Sequence, residues 1–109
     1  MAVTYHLVRP TEWRASDKSQ PYVPLAFESD GFVHCTDGED EVAATANRYY
    51  SGEADLVVLT IDLDRVTSPV RYEDPRRIYP HVYGPIDRGA IIAVRPIQRD
   101  PNGAWAPPR

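Results

Sequence analysis

The stretch DGFVHCTDGEDEVAATANRYY, Asp30–Tyr50, changes its period part-way along. After a turn at Asp30-Gly31, Phe32–Cys35 reads as a strand, with Phe32 and His34 on one face and Val33 and Cys35 on the other. From Val42 the spacing becomes helical, and Val42, Ala43, Ala46 and Tyr49 or Tyr50 form one buried stripe. Thr36 and Glu39 stand three apart, the spacing of a capping box, and Ser51-Gly52 is a credible stop. A strand that runs into an amphipathic helix excludes an all-β chain and a plain helical bundle.

The flanks are mostly strand. Val3–Val8 alternates, with Val3, Tyr5 and Leu7 facing one way and Thr4, His6 and Val8 the other. Pro10 ends it, and Thr11 is placed to cap a short helix carrying Trp13. Ser16–Pro24 reads as a loop. Downstream, Leu56–Ile61 is apolar and β-branched, as a central strand requires. Val70–Glu73 and His81–Tyr83 are short strands, and Ala90–Ile97 is the last apolar one. The 11 prolines among 109 residues favour short elements and long connections. The expectation is an α+β domain over residues 1–98 with a mixed or antiparallel sheet. Residues 99–109 form a Pro/Gly-rich tail, loosely held unless Trp105 folds back.

Composition narrows the function. A chain of 109 residues with 42% hydrophobic and 26% charged residues supports one domain with one real core. The net charge of −4 argues against a nucleic-acid partner. Arg71, Arg76 and Arg77 are a local exception, either solvated surface arginines or a foothold for a small phosphate-bearing ligand. No apolar run reaches the roughly 20 residues of a membrane span, and MAVTYHLVRP lacks the layout of a signal peptide. A single cysteine, Cys35, excludes an internal disulfide. Cytoplasmic location is therefore expected.

Few residues can carry chemistry. His34 and Cys35 are adjacent on a strand and so point to opposite faces, which is unsuited to a nucleophilic pair. Cys35 reads as a small buried apolar residue, with reactivity near a helix start as the minor alternative. The three histidines, His6, His34 and His81, all lie in or beside strands. Each alone suits a structural role, but three in one small sheet can meet in a cleft. Three imidazoles can also hold a metal, although no HxH or HExxH spacing supports it. In YPHVYGPI, Tyr79–Ile86, His81 and Tyr83 share a face if extended, which suits hydrogen bonding and stacking on a nucleobase-like ring. The alternative is a core tyrosine with edge-strand prolines. Glu73 is the best-placed carboxylate. Asp37, Glu39, Asp40 and Glu41 have a structural reading, as charges complementing a helix macrodipole.

The segments TYHLV, DGFVHCT, NRYY, DLVVLTID, RYE and YPHVYGPI, with Trp13, closely resemble the bacterial family called domain of unknown function 952, from about Val3 to Ile97. That resemblance implies an ADP-ribosyltransferase-like split β-sheet with flanking helices beside a nicotinamide-dinucleotide cleft. By the resemblance, His6 takes the place of a residue that binds an adenosine-side ribose. His34 falls near a tyrosine that stacks on nicotinamide. His81 falls near the glutamate that steadies a ribosyl cation. An imidazole there supplies no fixed negative charge to an oxocarbenium-like transition state, and Glu73 replaces the glutamate only if the fold carries it into the cleft. Relatives that remove a phosphate from RNA with this fold use arginine and histidine groups instead.

The expectation is thus a cleft lined by His6, His34, His81 and Tyr83 that binds a nucleotide or ADP-ribose-like ligand, with NAD or ADP-ribose as ligand or substrate. Ribosyl or phosphoryl transfer follows if it is an enzyme, with His81 as donor or general acid–base. A catalytically inert nucleotide-binding module and a metal-assisted hydrolase built on the three histidines are the alternatives.

Overall fold

The computed structural model describes residues 2–108. Its elements are β1 (Val3–Val8), α1 (Pro10–Ala15), α2 (Phe27–Asp30), β2 (Val33–His34), α3 (Glu39–Tyr49), β3 (Val57–Asp62), β4 (Val70–Tyr72), β5 (Pro80–Val82) and β6 (Ile91–Pro96). They build an α+β domain with two three-stranded antiparallel sheets, ordered β1-β3-β6 and β2-β5-β4. The sheets meet where Tyr5 and Thr36 exchange two backbone hydrogen bonds of 2.9 and 2.8 Å.

Strand alternation divides the core in two. Leu7 and Val58, paired in register, face α3 and pack with Val42, Ala46 and Leu56. Val8, Leu59 and Ile61 face the second sheet and pack on Val33, Val82 and Cys35. The first sheet is therefore covered on both faces, which is why β3 reads as a continuous apolar run. Among the described residues no helix is long and apolar enough to cross a membrane.

Two local expectations are corrected and one element is new. Thr36 is not the cap of α3: its backbone pairs with Tyr5, and the cap position falls to Gly38 at φ 88°, with no side-chain hydrogen bond. Pro10 opens α1 as its first residue rather than only ending β1, so Thr11 lies inside the helix. The short helix α2 was not anticipated; Gly31, left-handed at φ 80°, ends it and turns the chain into β2.

The tail is anchored through Trp105, which is 4% exposed and packs on Leu7, Val42, Leu56 and Ile97. Its indole N–H donates to the Tyr50 carbonyl at 2.9 Å, and Asn47 binds its backbone N–H and C=O. Of the two expectations for this segment, the fold-back holds.

Candidate functional site

The second sheet sorts its residues by face. Val33, Val82 and Val70 align across the strands toward the core, with Val33 and Val82 fully buried. One residue along, His34, His81 and Arg71 align across the same three strands on the outer face. The His34 and His81 rings consequently lie 5.5 Å apart between centroids, inclined at 73°. Phe32 stacks on His81 at 4.0 Å and 18°, and stands 4.6 Å from His34.

Each imidazole has its own carboxylate. His81 Nδ1 is 3.1 Å from Glu73 Oε1, the oxygen that also accepts from the Tyr83 hydroxyl. His34 Nε2 is 3.1 Å from Asp30 Oδ2, at the end of α2. Since a carboxylate only accepts, the bonded nitrogens carry the protons. His81 therefore presents Nε2 and His34 presents Nδ1. The Tyr83 and His81 hydrogen bonds, in that order, hold the Glu73 carboxyl below its usual range, and Glu73 in turn pushes the Tyr83 phenol up. The Arg71 guanidinium lies 5.1 Å from the Tyr83 ring centre.

His6 reaches the same region from behind. Its Nδ1 is 2.6 Å from the His34 carbonyl oxygen and must donate, so Nε2 accepts from the Tyr22 hydroxyl at 3.1 Å. Burial, the leading cause, drives its pKa down, while the His34 carbonyl and Glu12 oppose the shift. Both nitrogens are engaged within the protein. The hydrogen bond to a ribose expected of His6 has no free nitrogen to make it. His6 instead braces the backbone that carries His34.

A cavity of about 580 Å³ opens in front of these groups. His6, His34 and His81 line it from the sheets, Phe32 from the bend before β2, and Arg48 and Tyr49 from α3. Glu73 and Tyr83 are not among its lining residues; Glu73 touches it only through His81. Cys35 is 2% exposed, and burial pushes its thiol well up, which disfavours the thiolate a nucleophile needs. Among the described residues no three His, Cys, Asp or Glu side chains are placed to hold one metal ion. The metal-assisted reading thus has no ligand set to rest on.

Sequence reasoning missed Asp30, Phe32 and Arg48 as parts of this site. Phe32 shares its face with His34 by simple alternation, and that signal was present. Asp30 and Arg48 have ordinary readings, as a turn residue and as a cation in the last turn of a helix.

A family model described as a protein of unknown function (DUF952) matches residues 7–94. The chain belongs to that family. No curated protein matches this DUF952 chain. Among solved structures, a crystal structure of protein CC0527 from Caulobacter crescentus is similar with a TM-score of 0.79 at 20% identity, covering 95% of this chain and 93% of that one. A solution structure of CC0527 is similar with a TM-score of 0.71 at 22% identity, covering 95% and 91%. At this identity the likeness concerns the fold.

Proposed function

We propose that this DUF952 domain binds a nucleotide or ADP-ribose-like, nicotinamide-dinucleotide-derived ligand in the cavity before His34 and His81, and transfers a ribosyl or phosphoryl group. The observation that carries the reading is the imidazole pair itself: two rings 5.5 Å apart, each tied to its own carboxylate, facing one cavity. Imidazole both gives and takes a proton near neutral pH, and a carboxylate behind each ring fixes which nitrogen faces the ligand. A volume of about 580 Å³ falls within the usual range for small-molecule sites. Phe32, Tyr49 and Tyr79 supply aromatic surface for a base or nicotinamide ring. Two three-stranded sheets joined at Tyr5 and Thr36 favour reading the fold as a reduced ADP-ribosyltransferase-like split sheet.

His81, oriented by Glu73, is the acid–base group, and His34 is its counterpart. Glu73 and Tyr83 act through His81, and His6 holds His34 from behind. The position of Glu73 outside the cavity lining favours one second reading, an inert nucleotide-binding module that lacks the carboxylate a ribosyl cation needs.

Titration with NAD and with ADP-ribose, followed by backbone amide shifts, tests the cleft. Shifts centred on His34, His81 and Tyr79 are expected. Unmoved amides there at millimolar ligand would dispose of both nucleotide readings, and product analysis by mass separates enzyme from binder.

A further inference from the structure

The charges around the cavity are unequally committed. Glu12 accepts from the Leu25 N–H at 2.9 Å, Asp30 holds His34, and Asp74 accepts from the Ile78 and Tyr79 N–H groups at 3.1 and 3.0 Å. Arg9 forks onto Glu53 with bonds of 2.7 and 3.0 Å. Arg48 differs: among the described residues it pairs with no carboxylate, and it lies on the cavity wall beside Tyr49 and Tyr79. The cavity therefore offers two imidazoles with free nitrogens and one guanidinium. Each of its carboxylates already holds a partner inside the protein.

This arrangement discriminates between the two transfers. A ribosyl cation needs a carboxylate positioned beside the developing oxocarbenium, and each lining carboxylate, although charged, is held in place by its own hydrogen bonds inside the protein. A phosphoryl group needs the opposite, a cation on its non-bridging oxygens with an acid and a base at its two ends. One guanidinium that, among the described residues, touches only the Tyr49 and Tyr79 phenols and no carboxylate matches the single negative charge of a phosphodiester.

Resting on the nucleotide reading above, we infer that the substrate is a nucleoside phosphodiester, held by Arg48 on its non-bridging oxygens and cleaved hydrolytically between His34 and His81. One imidazole takes a proton from the attacking water as the new P–O bond forms. The other gives a proton to the departing ester oxygen as the old P–O bond breaks. Water and diester become phosphomonoester and alcohol, with no change of oxidation state, and solvent exchange restores the two rings. The rings that carry the free nitrogens, Nδ1 of His34 and Nε2 of His81, lie 5.5 Å apart between centroids and line the same cavity, as an acid and a base acting on one group require.

The full chain is titrated with inorganic phosphate, adenosine, adenosine 2′,3′-cyclic phosphate and NAD, and hydrolysis of the cyclic ester and release of nicotinamide are followed by mass. Phosphate is expected to shift the amides of Arg48, Tyr79 and His81. Arg48→Gln is expected to weaken phosphate binding roughly tenfold or more, the loss of one charge-assisted hydrogen-bond pair. Arg48 is exposed, so the variant should keep its unfolding midpoint. His34→Asn and His81→Asn should each slow hydrolysis by about a hundredfold and each remove one limb of a bell-shaped pH–rate profile. A merely structural role would leave both limbs. Binding of adenosine without phosphate binding or hydrolysis overturns this inference and leaves the nucleotide reading standing. Release of nicotinamide from the dinucleotide with the cyclic ester intact overturns it in favour of ribosyl transfer. Failure of all ligands to bind overturns both readings together.

Discussion

Replacing His6 with asparagine tests how the core supports the site, through the pH dependence of stability. Burial is the first cause of the depressed His6 pKa, so the native ring resists a proton that the unfolded chain accepts near its ordinary value of 6.5. Because the native value lies below the unfolded one, the penalty is absent well above pH 6.5. It grows as pH falls through 6.5 and levels off once the native ring also titrates. One proton corresponds to a slope of at most about 1.4 kcal/mol per pH unit, and to a loss of about 1.4 kcal/mol by about pH 5.5 if the native ring stays neutral.

Urea unfolding of wild type and His6→Asn at about pH 7.5 and pH 5.5 reads this directly from the midpoints. At the higher pH the variant should be less stable by about 1–3 kcal/mol, because the buried Tyr22 hydroxyl loses its acceptor. On acidification the gap should narrow, since only wild type carries the histidine penalty. Tyr22→Phe should keep the penalty, because the ring remains buried. Parallel losses for wild type and His6→Asn would refute the reasoning. They would mean that the native ring takes its proton freely and that the Tyr22 bond does not hold Nε2.

Other consequences are equally direct. Glu73→Ala should return the Tyr83 phenol toward its ordinary 10.0 and release the His81 tautomer, both visible by NMR titration; an unmoved Tyr83 would deny the shared carboxylate. Trp105→Ala should cost roughly 3–5 kcal/mol in urea unfolding, the usual range for a buried large aromatic, whereas a value near zero would return the tail to a loose one. Gly84→Ala should cost about 1–3 kcal/mol in the same assay. Its φ of 154° disfavours a side chain, and an added Cβ would come within 2.9 Å of the Ser68 Cβ.

The local periodicities in the sequence were strong enough to be read. Alternation fixes β1 at Val3–Val8, and the apolar β-branched run marks β3 within one residue at each end. Long-range pairing defeats local rules elsewhere. Thr36 and Glu39 have capping-box spacing, but the Tyr5 partnership draws Thr36 into a bridge and leaves α3 to start two residues later, behind Gly38. A one-turn helix such as α2 has too few residues for a period to show. The site divides along the same line. Alternation assigns His34 to the face of Phe32 and His81 to that of Tyr83, but it cannot say that β2 and β5 pair in the register that sets His34 opposite His81. Nor can it say that the face of β1 carrying His6 turns inward, where a ring meant for ligand instead bonds Tyr22 and a carbonyl.

That register also explains why the imidazoles stay together without any bond between them. β2 has two residues, yet its ladder with the β5 segment continues through Cys35 N–H to the Pro80 carbonyl at 3.1 Å and Asp37 N–H to the Ile78 carbonyl at 2.7 Å. A slip by one residue would turn Val33 outward and His34 inward. It would forfeit roughly 1.5–3 kcal/mol for each valine exposed, and it would bury an imidazole among Leu59, Ile61 and Val8 without a partner. The geometry of the outer face is thus set by packing on the inner one. Substitutions at Val33 or Val82 act on the site through register, although neither side chain lines the cavity.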